Sequence, residues 1–514
     1  MIQLIRILCF VILAVSTFGS CKKENSLEMV TLPGFYDSTS ILYYVDNKIG
    51  NDNNTGKDIT VPWKTIQKAA NSASPGSTVF IRRGIYYENI IMNVTGNEIH
   101  PITFTNYMND SVIIDGTNSH ENILLEITNK SYLNFKGLVF QNLTKNNAQG
   151  ISITATANGK VAGLSFNNIR IRNINWNNNS TIIPSDNNNS QPFIVYGKGS
   201  ELSNSVTDLI INNCEFTNNI TGFSEVVSLD GNISNFIITN NYVHHNTNIG
   251  IAIIGNYGTS SNTQLDNARN GLIVQNVCNN NVSLYATSGG IYVDGGKDLK
   301  IERNTSFENG YGIEVGNERN GTASNIVVVS NIIYNNENAG LAIGGYDDKT
   351  SGQVLNCKFY NNTLYRNNTN NDGSGEIYIT KASNCSIQNN IIVTNLQNIL
   401  YTLVPILPQS DNSLDFNCWN IPSTIESNAK INWLNKVYNG YNNYISSTMQ
   451  DKKSIFSNPL FNQVKYPYPQ FSVSNISPCV NKGNIGIISD LKQLDFLGLP
   501  LIENGMVSMG AYHR

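Results

Sequence analysis

A repeat constrains this chain more than any other feature. A short apolar run, an asparagine and a second apolar run recur at intervals of about 27–35 residues. The members are LIINNCEF around Asn213, FIITNNYV around Asn241, LIVQNVCN around Asn276 and LKIERNTSF around Asn304. IVVVSNIIY around Asn331, CKFYNNTLY around Asn362 and CSIQNNIIV around Asn390 follow, and LSFNNIRI around Asn168 reads as an earlier copy. A second column precedes each of these, in which glycine leads an alternating apolar stretch. It runs through GISIT from Gly150, GIAIIG from Gly250, GIYVDGG from Gly290, GIEVGN from Gly312, GLAIGG from Gly340 and GEIYIT from Gly375. Each unit thus holds a short strand, a turn, a second strand ending in Asn, and a third strand. Strands this short cannot bury a face alone, but stacked copies bury each inward side chain against the next. The pattern predicts an all-β fold, a single right-handed parallel β-helix.

Composition agrees. Roughly one residue in six is asparagine, far above ordinary usage. Asn tolerates the left-handed conformation that sharp turns need, and amides repeated at one register can bond along a stack as ladders. Only 14% of residues are charged and the net charge is −4. A long helical protein would need Ala, Glu, Lys and Leu at helical period, and a disordered chain would lack the 25 tyrosines found here. No basic surplus marks a nucleic-acid partner.

The two ends differ from the middle. Residues 1–20 have the shape of a secretory signal peptide: Arg6, an apolar run of about ten residues, then small residues. Phe18-Gly19-Ser20-Cys21 resembles a bacterial lipobox, which implies lipidation of Cys21 and a polar tether over 21–40. The protein is then expected in the bacterial cell envelope, as an outer-membrane lipoprotein facing the periplasm or the cell surface. An ordinary signal peptide beside a coincidental cysteine is the other reading. Residues 41–98 read as a cap and first coil, with strands at Tyr43–Val45 and Val79–Ile81 and a short amphipathic helix from about Trp63 to Ala70. Residues 99–400 are the coils, and 401–514 are expected to complete the helix irregularly. Cys214, Cys278, Cys357 and Cys385 fall in apolar strand patterns and read as buried thiols. Cys418 and Cys479 are candidates for a disulfide in an oxidising compartment.

The stretch PGSTVFIRRGIYYENIIMNVTGNEIHPITFTNY (75–107), then VIIDG (112–116) and YLNFKGLVFQNLT (132–144), resembles the opening coils of secreted β-helix proteins that act on polysaccharides, most closely the chondroitinase B and alginate lyase group. The tail segments SNPLF, SPCVNKGN, LDFLGLP and GAY resemble the end of many secreted bacterial β-helix proteins. The resemblance implies a fold and a polysaccharide partner, with lyase activity as the first expectation. The catalytic set of polygalacturonase-like hydrolases is absent, as is the calcium-binding Asp-Asp-Gly-Phe-Asp cluster of family-nine pectate lyases.

In so weakly charged a chain, clustered charge is informative, and it is densest between 225 and 350. Asp230, Asp294 and Glu318 each follow a glycine-column strand, which places them along one edge of the stack on neighbouring coils ~4.8 Å apart. Carboxyl groups so spaced suit glycosidase chemistry. With Asn and backbone oxygens, the same three could bind calcium. A lyase of a uronate-containing glycan needs a base and a cation to stabilise the developing anion; His245, Arg269 and Lys297 are the candidates. A hydrolase needs an acid and a base or nucleophile, for which Asp230, Asp294, Glu314 and Glu318 are the candidates. Asp294 reads equally well as a turn residue and Glu314 as a solvent-facing one. A non-catalytic glycan-binding solenoid is the third reading.

Overall fold

The computed structural model describes residues 41–465 and 469–513; the expected signal peptide, Cys21 and its tether lie outside the described residues. Each coil passes through three sheets in turn. One coil runs Ile233–Thr239, Tyr242–Asn246 and Ile249–Ile254, and the next starts at Ala268–Val274 on top of Ile233–Thr239. Repeated along the chain, this builds sheets of 15, 13 and 13 strands, parallel except for the last pair of the third sheet, Lys430–Trp433 with Lys436–Asn439; this is the parallel β-helix that the repeat predicts. Inward side chains stack on their copies. Phe104, Phe135 and Phe166 lie in register, with ring centres 5.5 and 5.1 Å apart, and each such pair adds about 0.5–1.5 kcal/mol beyond its buried area.

The corner between the first and second sheets explains the asparagines. Its first residue is left-handed: Asn168, Asn213, Asn240, Gln275, Arg303, Ser330, Asn361 and Asn389 all have φ between 52° and 59°. The next residue points inward and makes the ladder. The Nδ2 of Asn241 donates to Asn276 Oδ1 at 2.9 Å, and the chain of amides continues through Asn304, Asn331, Asn362 and Asn390 to Asn417. Two early members of the sequence repeat are therefore corner residues. Asn168 and Asn213 take the left-handed position, and Cys214 occupies the ladder site of its coil, donating its N–H to Asn241 Oδ1. A second inward ladder, not foreseen, runs at the far end of the second sheet. Asn219, Asn246, Asn281, Asn309, Asn336 and Asn367 bond in sequence, and Asn367 donates to Glu376 at 2.8 Å.

The N-terminal helix spans Ile66–Ser72, later than expected, because Thr65 is its N-cap, accepting from the N–H of Lys68. Glu88 accepts the N–H groups of Ile66 and Gln67. Trp63 lies before the helix, stacked on Tyr43 at 4.5 Å. At the other end only residues up to Ile455–Phe456 continue the coils, under a second helix, Tyr441–Thr448. The remainder does not complete the stack as expected; it runs back along the outside. Gln493 donates to Glu302, Ser330 to the Leu494 carbonyl and Asn361 to the Ser508 carbonyl. The apolar side chains of this strap need a surface to cover, and successive Tyr and Phe residues on the second sheet supply one. Cys214, Cys278, Cys357, Cys385, Cys418 and Cys479 are buried free thiols; Cys418 and Cys479 share one apolar cluster under the strap.

Candidate active site

The third sheet alternates. Ile251, Ile253, Ile291, Val293, Ile313 and Val315 point into the core. Their neighbours point out, and the register aligns Ala252, Tyr292, Glu314, Ala342 and Tyr378 in one column. Outside the core this face carries a small apolar cluster of its own, Ile249, Ala252, Ile254 and Tyr292. Those residues floor a cleft of about 530 Å³ that extends from Glu225 to Tyr378. It crosses six strands, or about 24 Å at ordinary strand spacing.

Corner loops wall it. On one side the long loop after Ile254 brings Tyr257, and the loop after Gly316 brings Asn317, Glu318 and Arg319. On the other side stand Phe223, Ala286 and Thr287, steadied by an edge-to-face contact of Phe223 with Tyr285 at 5.4 Å and by a 3.1 Å hydrogen bond from the Tyr285 hydroxyl to the Gly222 carbonyl.

Four acids converge here: Glu225, Asp294, Glu314 and Glu318. Asp294 is only 4% exposed. Its Oδ2 accepts from the Tyr257 hydroxyl at 2.5 Å and its Oδ1 from the Glu318 N–H at 2.7 Å. The same hydroxyl lies 3.2 Å from Glu318 Oε2. Ser228 donates to Glu225 at 2.8 Å. Burial pushes Glu314 up to about 8, and the negative charges of Glu318 and Asp294 add to it. Burial likewise raises Glu225 to about 7, with the Glu318 and Asp230 charges contributing. Asp294 is displaced upward by burial and by Glu318. The one cation among the lining residues, Arg319, sits 4.7 Å over the Tyr257 ring.

Of the residues singled out from sequence, Asp294, Glu314 and Glu318 meet in this cleft. The others lie elsewhere. Asp230 is two strands below Asp294 on the same face, but its carboxyl accepts from Thr259 at 2.7 Å and is not part of the lining. His245 occupies a left-handed corner of the second sheet, the position held by Asn218 and Asn280 in neighbouring coils, with its Nδ1 2.8 Å from that of His244. Arg269 and Lys297 are register partners on the first sheet. Arg269 donates to the Asn267 carbonyl and to Asn232 Oδ1. Nor do Asp230, Asp294 and Glu318 assemble as calcium ligands: among the described residues no group of three or more His, Cys, Asp or Glu is placed to hold a metal ion. Glu225, Tyr257, Tyr292 and Arg319 were missed as site residues. Aligning GIYVDGG with GIEVGN would have set Tyr292 over Glu314. For Tyr257 the only signal was the long interval between Asn241 and Asn276, where its loop is inserted.

Residues 43–195 match the family model described as the Pel9A-like right-handed β-helix region, and residues 289–420 match a second described as the right-handed β-helix region. The protein is thus a right-handed parallel β-helix protein with an acid-lined cleft on its third sheet. It belongs to the same family as the uncharacterized protein YwoF of Bacillus subtilis (strain 168), with 31% identity over 458 residues, 85% of this chain and 93% of that protein. Among solved structures it resembles pectate lyase Pel9A at 14% identity and a TM-score of 0.48, over 92% of this chain and 96% of that one. It also resembles the GH136 lacto-N-biosidase of Eubacterium ramulus at 15% identity and a TM-score of 0.46, over 74% of this chain and 64% of that one. At such identity the likeness is one of fold.

Proposed function

We propose that the protein hydrolyses a glycosidic bond in a glycan that lacks carboxylates, binding it along the third-sheet cleft. The observation that carries this reading is the neighbourhood of Glu314, a carboxyl that burial pushes up to about 8, and a second carboxyl, Glu318, on a floor bearing Tyr292. Glu314 is the proton donor to the departing oxygen, and Glu318 with Asp294 supplies the opposing negative charge. The backbone positions of Glu314 and Asp294 are one strand and two residues apart, or ~8 Å. Tyr311 and Tyr378, both only partly buried, offer flat faces to sugar rings.

Lyase action on a uronate, the first expectation from sequence, is less well supported. Arg319 is the single Lys or Arg lining the cleft, and the cations proposed to stabilise the anion of a uronate, Arg269 and Lys297, stand on another sheet. The test is incubation of residues 22–514 with neutral and acidic glycans. New reducing ends from a neutral glycan, lost in Glu314→Gln, support hydrolysis. Absorbance near 235 nm from unsaturated ends would replace hydrolysis with elimination, and binding without either product would leave a glycan-binding solenoid.

We also propose, from the lipobox-like run before it, that Cys21 carries the lipid that holds the protein in the bacterial envelope. Cys21→Ser should move the protein from the membrane to the soluble fraction; unchanged partitioning would refute the anchor.

A further inference from the structure

We propose that Tyr257 is a positioning and proton-relay residue joining Asp294 to Glu318, and that Asp230, Asp266 and Arg269 exist to hold the loop that delivers it. The relay rests on the hydrolase reading above; the clamp does not.

A phenol has one proton, yet the Tyr257 oxygen faces two carboxyl oxygens, at 2.5 Å from Asp294 and 3.2 Å from Glu318. Donation to the nearer Asp294 leaves an oxygen lone pair toward Glu318. When Glu318 takes a proton during turnover, it passes that proton to the Tyr257 oxygen as Tyr257 releases its own to Asp294. Two O–H bonds form and two break, tyrosine ends neutral, and the negative charge has moved from Asp294 to Glu318. The Glu318 N–H on Asp294 Oδ1 fixes the two acids relative to each other. The Arg319 guanidinium on the ring face keeps the phenol from swinging out.

The base of the loop is closed by a backbone bridge between Gly255 and Asn267 and by the Asn256 N–H on the Asp266 carbonyl at 2.7 Å; beyond that base, side chains hold it. Asp266, 2% exposed, accepts the N–H groups of Gly258 and Ser260 at 2.7 and 2.8 Å, on either side of Thr259. Thr259 donates to Asp230. Arg269 gathers the loop's return, donating to the Asn267 carbonyl at 3.1 Å and to Asn232 Oδ1 at 2.9 Å. Asp230, Asp266 and Arg269, none of which lines the cleft, are thereby spent on one loop of its wall, which makes sense if the position of Tyr257 matters to the site.

The experiment pairs kinetics with carboxyl titration by ¹³C NMR in Tyr257→Phe and Thr259→Val. Tyr257→Phe should lower kcat at least about 10-fold with KM changed by less than about 2-fold. It should also raise the titration midpoint of Asp294, whose charged form loses a donor. Thr259→Val keeps the phenol but loosens its loop, and should give a smaller change in the same direction, with faster amide exchange across 255–267. If Tyr257→Phe left the Asp294 titration unmoved, the relay would be wrong whatever the activity. If the wild type cleaved no glycan while the titration moved as expected, the hydrolase reading would fall and the coupling would stand. Unchanged exchange in Thr259→Val would overturn the clamp.

Discussion

Asn304 shows what one residue does in this fold. Its amide nitrogen donates to the carbonyls of Ile273 and Glu302 and to Asn331, while its oxygen accepts the N–H and Nδ2 of Asn276. Asn304→Ala would strand all of these in a dry interior and should cost about 2–4 kcal/mol, read from urea unfolding. Glu376 ends the second ladder, 1% exposed, and burial raises it to about 8. The folded state therefore holds its proton where the unfolded chain, at an ordinary 4.5, releases it. This contribution to stability is complete below that ordinary value and declines as pH rises, until it is gone above about 8. Glu376→Gln should flatten the fall in melting temperature over this window; an unchanged slope would mean that other groups cause it. Glu314 carries the same sign into catalysis. Because it acts while protonated, kcat should decline as pH rises through about 8, and Glu314→Gln should lower it about 10²–10⁴-fold.

Among the elements, strands were legible and loops were not. A strand announces itself by alternation and by register with its copies, so Asp294 and Glu314 were located from the glycine column, and both project from the sheet they were assigned to. A corner loop has no copy to be aligned with, which hid Tyr257 and left Asp230 and Arg269 looking like site residues when they support that loop instead. The second ladder was legible but unread: its members follow the first by a constant five positions, as Asn246 follows Asn241 and Asn281 follows Asn276. The strap was hidden for a different reason. Its contacts join residues far apart in sequence, and local pattern carries no trace of them. Phe471, 1% exposed, lies 5.5 Å from Tyr334 and 5.1 Å from Tyr365 between ring centres. Phe471→Ala should remove about 3–5 kcal/mol of packing. Limited proteolysis should then cut the 457–513 segment while the coils resist; equal resistance of both would show that the ring does not fasten it.

At the scale of the molecule, a solenoid is held by contacts between neighbours, so each coil's stability depends on the coils above and below it. The cleft takes advantage of this. It draws on six successive strands of one sheet, with four strands of that sheet before them and three after, away from the ends where fraying begins. The strap ties coils to a segment far along the chain, and Gln493 reaches Glu302 across 191 positions. Every coil it covers precedes it in the chain. Coils can settle one upon another as they emerge, yet the flank beneath the strap stays greasy until residues 457–513 are released to cover it. A chain lacking the strap would leave Tyr334 and Tyr365 without the Phe471 ring that covers them, so the last residues made finish a surface begun more than a hundred positions earlier.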